Sequence, residues 1–132
     1  MTKSSSHLPE LSEYSSYLCC ESNTLPGVRV TIRRMSLARR IELGRAVREL
    51  AGRLEFHQAG SGIGEQIDAA VAAAEINAVY FRWGVFAIEG LQIDGEPAAL
   101  ESVIASAPEE FVIEIVNYIK RECGISENER KN

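Results

Sequence analysis

The sequence predicts a mainly α domain: four helices built on one long central helix, with a small two-stranded β element beside them. Three observations carry this. Apolar residues recur at alternating spacings of four and three between residues 65 and 88, the repeat of a long helix. Apolar and polar residues alternate over 28–33, the period of a half-buried strand. Glycine and proline divide the rest into helix-length pieces.

In chain order, residues 1–26 form a Ser-rich segment (Ser4, Ser5, Ser6, Ser12, Ser15, Ser16, Ser22) with no apolar run of signal-peptide length, and are expected to be a flexible leader. Residues 27–132 then form a single helical domain. Val28-Arg29-Val30-Thr31-Ile32-Arg33 follows the Pro26-Gly27 turn signal and reads as a short strand. Ser36 is placed to cap a helix running to about Gln58, with Leu43, Val47, Leu50, Ala51 and Leu54 on one side. Gly60, Gly62 and Gly64 end it and form a hinge.

From Glu65 the stripe Ile67, Val71, Ala74, Ala78, Phe81, Val85 and Ile88 predicts one continuous helix, the most buried of the four. A second apolar row (Ile76, Val79, Tyr80, Trp83, Phe86) leaves only Glu75, Arg82 and Glu89 to mark a narrow polar face. The alanines at 69, 70 and 72–74 allow close approach of another backbone, so the preceding helix is expected to fold back antiparallel.

Gly90 ends the long helix, and 91–97 reads as a strand followed by an Asp-Gly turn, its expected partner being 28–33. Pro97 suits the first turn of a third helix reaching Ser106. Pro108 opens a fourth, whose stripe Phe111, Ile115, Val116, Ile119 and Cys123 ends at Gly124. Ser126 and Glu129 match a capping box, so the C-terminal tail is expected to begin a further helix that frays unless it docks.

Composition narrows the function classes. At 132 residues, 45% apolar, the chain has the size of one domain, burying roughly two-thirds of its unfolded surface without help from metal or disulfides. No window approaches the ~18 consecutive apolar residues of a membrane span. Three cysteines, Cys19, Cys20 and Cys123, make neither a disulfide framework nor a CxxC pair, and nothing basic adjoins the pair to stabilise a thiolate. A reducing cytoplasm is the expected compartment.

No catalytic, cofactor-binding or metal-binding set stands out. His7 and His57 have no second histidine or suitably spaced carboxylate in the sequence, and His57 reads as a cation at a helix C-terminus. Gly62 and Gly64 form a GxG before a helix, but no buried strand precedes them and no lysine follows, so phosphate binding lacks its mechanism. The paired carboxylates Glu109-Glu110 and Glu42/Glu49 sit where helix ends and surface ion pairs explain them. The protein is expected not to be an enzyme.

What remains is asymmetric charge. Residues 29–53 hold Arg29, Arg33, Arg34, Arg39, Arg40, Arg45, Arg48 and Arg53 against Glu42 and Glu49, a balance of +6 within a chain of net charge −5, leaving −11 for the remainder. Arginine alone suits bidentate pairing with carboxylates, within the chain or on a partner, as well as phosphate contacts. Arg45 and Arg48 read as ordinary surface ion-pair residues, whereas Arg40 lies near the apolar stripe and is expected to pair with an acidic residue of a neighbouring element or partner. The over-apolar central helix adds Tyr80 and Trp83, either core anchors or part of a binding or self-association face. The candidate partner-binding residues are therefore Arg29, Arg33, Arg34, Arg39, Arg40, Tyr80 and Trp83. A nucleic-acid-binding regulator using Arg29–Arg53 is the alternative, against which the acidic total weighs.

Several segments taken in order, 30–43 (VTIRRMSLARRIEL), 75–84 (EINAVYFRWG), the turn 90–95 (GLQIDG) and the ending 123–132 (CGISENERKN), resemble small tail assembly chaperones of bacteriophages and prophages. The likeness spans about 28–132 and is one of order and texture. The resemblance implies a small, largely helical, acidic and non-enzymatic cytoplasmic protein that binds the tape-measure protein or tube subunits during tail assembly. It carries no catalytic residues or cofactor, and the Ser-rich leader with Cys19 and Cys20 departs from it.

Overall fold

The computed structural model describes residues 11–124. Among these residues the chain is mainly α, with four helices and a small antiparallel sheet. In order come β1 (Tyr17–Glu21), β2 (Arg29–Arg33), α1 (Leu37–Gln58), α2 (Ile63–Gly84), β3 (Val85–Glu89), β4 (Gln92–Ile93), β5 (Glu96–Pro97), α3 (Leu100–Ser106) and α4 (Glu109–Glu122). His7 and the Ser126/Glu129 capping box lie outside the described residues.

The expected strand at 28–33 is the middle strand of a three-stranded sheet ordered β1-β2-β3. Its alternation does what the pattern requires: Val28, Val30 and Ile32 are buried, while Arg29 points to solvent. The partners differ from expectation. Residues 91–97 do not reach β2, because Asp94 and Gly95 both adopt positive φ (52° and 86°) and turn the chain into its own two-residue-loop hairpin, β4 against β5. Glu96-Pro97 is used there, so α3 starts only at Leu100, where the Ser102 hydroxyl accepts the Ala99 N–H at 2.9 Å.

β2 pairs instead with segments assigned to other roles. The Ser-rich leader enters the fold as β1, with Cys20 opposite Val30 and Leu18 opposite Ile32. A polar turn in an otherwise featureless segment explains why: the Glu114 carboxylate of α4 accepts Ser22 Oγ at 2.7 Å and the Asn23 N–H at 2.6 Å, and Tyr118 Oη donates to the Glu21 carbonyl at 3.2 Å. On the other side, the helix expected to continue to Ile88 stops at Gly84 and becomes β3 without a loop, Val85 taking extended φ/ψ. An apolar run of this length satisfies either period. From Val85 the chain pairs with β2, and at Gly84, where α2 ends, a Cβ would stand 2.6 Å from Ile119 Cδ1, so α2 and α4 touch at that point.

α1 and α4 follow the sequence closely. Ser36 caps α1 by accepting the Arg39 N–H at 3.1 Å. In α4 the residues Phe111, Ile115, Val116, Ile119 and Cys123 are all buried, and Gly124 ends it at φ 79°. With Val30, Ile32, Phe81, Val85 and Val103 they form one core between the sheet, the C-terminal half of α2 and α4.

Candidate protein-binding surface

α1 and α2 are each 22 residues, about 33 Å at 1.5 Å per residue. They run antiparallel, as Arg39 meets Trp83, Arg53 meets Glu75 and His57 meets Glu65 along their length. The other helices are short, 7 residues in α3 and 14 in α4. Val112 and Ile113 of α4 line a groove with Ala74 and Ala78, and Ile119 faces Gly84, so cover is concentrated on the C-terminal half of α2. The hairpin therefore projects beyond the core as an arm.

The arm carries the stripe that the sequence places in the core. Phe81 and Val85 are buried as expected, but Ile67 is 58% and Val71 52% exposed, with Ile63 at 75% one turn earlier. Positions 63, 67, 71, 74 and 78 share one helical face. That face leads directly into the groove of about 290 Å³ lined by Ala74, Ala78, Ile104, Ala107, Val112 and Ile113, with Glu109 at its side. A continuous apolar track at coiled-coil spacing thus lies open along α2. Helix lengths are the signal for it: on the side of α2 away from α1 the neighbours are α3 and α4, of 7 and 14 residues, too short to cover a helix of 22.

The residues singled out from the sequence divide among β2 and the segment after it, the first turn of α1 and the C-terminal half of α2. Arg29 pairs with Glu89 across β2 and β3 at 3.2 Å, and Arg34 with Glu122 at 3.0 Å. Arg33 lies 5.2 Å over the Phe86 ring and Arg34 5.2 Å over Tyr14. Arg39 bonds Glu42 at 3.1 Å, donates from Nη2 to the Trp83 carbonyl and stacks 4.2 Å from the Trp83 ring. Its pKa falls through desolvation, with Glu42 acting in the opposite sense. Arg40 meets not a carboxylate but the Cys123 carbonyl at the α4 C-terminus, 3.2 Å away, where a cation suits the helix dipole. Arg53 pairs with Glu75. Tyr80 is buried in the core with the Lys120 ammonium 5.1 Å from its ring centre, and Trp83 is half-buried beneath Arg39.

The arginines are thus spread over separate intramolecular contacts. Arg33, Arg34 and Arg39 do come together with Tyr14, Tyr17 and Ser36 around a shallow depression of about 210 Å³. Of the cysteines, Cys19 is exposed, while Cys20 and Cys123 have pKa values raised chiefly by burial, the reverse of a reactive thiolate.

The sequence also hides a cluster at the arm's tip. His57 stands apart from Glu65 and Asp68 along the chain, yet the antiparallel hairpin brings them to it, one ligand atom of each lying within 4.8 Å of the others. The expectation that no carboxylate accompanies His57 is corrected by the fold. Among the described residues no helix is long and apolar enough to cross a membrane. Compared with known protein families, curated proteins and solved structures, the chain matches none.

Proposed function

We propose that this is a non-enzymatic binding protein of the cytoplasm that receives an amphipathic helix of a protein partner along α2, the helix on which the domain is built. The observation that carries this is the exposed track Ile63-Ile67-Val71-Ala74-Ala78 running into the groove against α3 and α4. Such a face costs free energy in water, and helix-in-groove docking buries it with anchors at helical spacing. The resemblance to tail assembly chaperones supplies the client: a helical tape-measure protein or tail-tube subunit, shielded until assembly. Arg39 and Arg53 tie α1 to α2 through Trp83 and Glu75, which holds the hairpin that carries the track together.

Co-expression with the neighbouring tape-measure or tube protein, followed by pull-down, tests the reading. The wild type retains the client and an Ile67→Lys, Val71→Lys variant loses it while keeping its helical circular dichroism. Retention by that variant overturns the reading, and a client-free dimer broken by the same change assigns the track to a second copy instead. The alternative, a nucleic-acid-binding regulator using Arg29–Arg53, has less support because Arg29, Arg34, Arg39, Arg40 and Arg53 are engaged within the chain. Binding to DNA at ~50 mM salt, where phosphate contacts are strongest, is what would restore it.

A further inference from the structure

We infer that the tip of the α1–α2 hairpin is a binding site for a divalent transition-metal ion of the zinc type, held by His57, Glu65 and Asp68. His57 stands in the last turn of α1, and Glu65 and Asp68 in the first two turns of α2, so the three come from both sides of the hinge. One ligand atom from each lies within 4.8 Å of the other two. His57 Nδ1 and Glu65 Oε2 are 3.4 Å apart. Two ligands at about 2.0–2.1 Å from a tetrahedral ion stand about 3.4 Å apart, so this pair already has a chelating separation, and Asp68 closes by side-chain rotation.

An ion pair between His57 and Glu65 accounts for two of the three groups only. It does not account for a second carboxylate converging on the same point, which a cation would neutralise. Arg53, one turn earlier on α1, is turned to Glu75 and supplies no such charge. A separate observation concerns the hinge. A Cβ at Gly60 would stand 2.5 Å from Glu65 Cγ and 2.6 Å from Oε2, so the carboxylate occupies space that only glycine leaves open. Gly60 is thus a positioning residue for Glu65.

The donor set fixes the ion's class. One imidazole with two carboxylates suits zinc and its neighbours, whereas calcium and magnesium favour oxygen alone. Three protein ligands leave at least one position for water or for a group from outside the chain. The bound ion would tie the end of α1 to the start of α2 and stiffen the arm at its least supported point. This inference does not rest on the proposed helix docking.

Calorimetric titration of the full-length protein with zinc, in a non-chelating reductant, tests it. The wild type should bind one zinc that His57→Ala and the Glu65→Gln, Asp68→Asn variant both lose, with calcium not bound. Gly60→Ala, which keeps every ligand, should weaken binding about 10- to 100-fold, the usual effect of disturbing a ligand's support. The cysteines and His7 are competing zinc ligands, so cobalt(II) is added to the wild type alone: a spectrum without a thiolate charge-transfer band agrees with His57, and one with it assigns the metal to cysteine and overturns the proposal. Equal zinc binding by wild type and a folded His57→Ala, calcium binding as tight as zinc, or no zinc binding at micromolar protein also overturns it.

Discussion

The carboxylate of Glu114 accepts a hydrogen bond from Ser22 Oγ at 2.7 Å, joining the fourth helix to the turn between the first two strands. The Asn23 and Thr24 N–H groups donate to the same carboxylate, at 2.6 and 3.3 Å. One side chain thereby satisfies three donors of a turn whose Ser22 is buried. Glu114→Ala should cost about 2 kcal/mol, the scale of hydrogen bonds to a charged acceptor, measured by urea denaturation. Glu114→Gln should recover only part of this.

Stability should also fall with acid through this group. Desolvation pushes the Glu114 pKa up, but the donors from Asn23, Ser22 and Thr24 outweigh it and the net shift is downward. A carboxyl with a folded pKa below its unfolded value stabilises fully above the unfolded pKa, near 4.3 for glutamate, and loses that contribution as pH falls through the folded value. Comparing melting temperatures at pH 6 and pH 3 should show a smaller drop for Glu114→Gln than for the wild type.

Gly84→Ala should destabilise by about 1–3 kcal/mol, the range for forcing an extra methyl into a packed core. The added carbon meets Ile119 Cδ1 at 2.6 Å. Combining it with Ile119→Val should recover part of the loss; a strictly additive double-mutant cycle would show that the contact is not the cause.

Arg39→Lys should not substitute for arginine. The guanidinium stacks on Trp83 at 4.2 Å while bonding both the Trp83 carbonyl and Glu42, and a lysine ammonium offers neither the plane nor the fork. Tryptophan fluorescence reads this directly, since Trp83 is the single tryptophan. Its emission should shift in Arg39→Lys and Arg39→Ala alike, with stability falling by about 1–2 kcal/mol.

The track on α2 predicts a separation of stability from binding. Ile67→Lys and Val71→Lys each remove an exposed side chain and should change stability by no more than about 0.5 kcal/mol. The same changes should abolish partner capture, whereas Phe111→Ala, inside the core, should cost about 3–5 kcal/mol.

Local signals were legible where one period and one cap agreed. Ser36, the stripe ending at Cys123 and Gly124, and the alternation about Val30 and Ile32 each predict an element that the structure contains. What sequence order concealed was pairing. Tyr17–Glu21 carries little alternation and becomes a strand through Glu114, a residue over ninety positions away. Val85–Glu89 continues an apolar helical repeat but pairs with β2, a partner more than fifty residues away along the chain. The tip cluster escaped for the same reason, since His57 meets Glu65 and Asp68 only across a hairpin. The periodic stripe on α2 is apolar as its spacing predicts, but its N-terminal part stays exposed because α3 and α4 are too short to reach it.

The antiparallel hairpin also bears on the order in which the molecule assembles. β2 and β3 pair antiparallel, Arg29 opposite Glu89 and Val30 opposite Ile88 with a register shift between Thr31 and Ile32, although the whole of α1 and α2 separates them along the chain. Closing so long a span as random coil carries an entropy penalty before any strand contact forms. Two helices docked antiparallel return the chain to its starting point and remove most of that penalty, because helical turns form in about a microsecond. If strand pairing waits on helix docking, substitutions along the α1–α2 seam should slow refolding more than they speed unfolding, which stopped-flow chevron plots would measure.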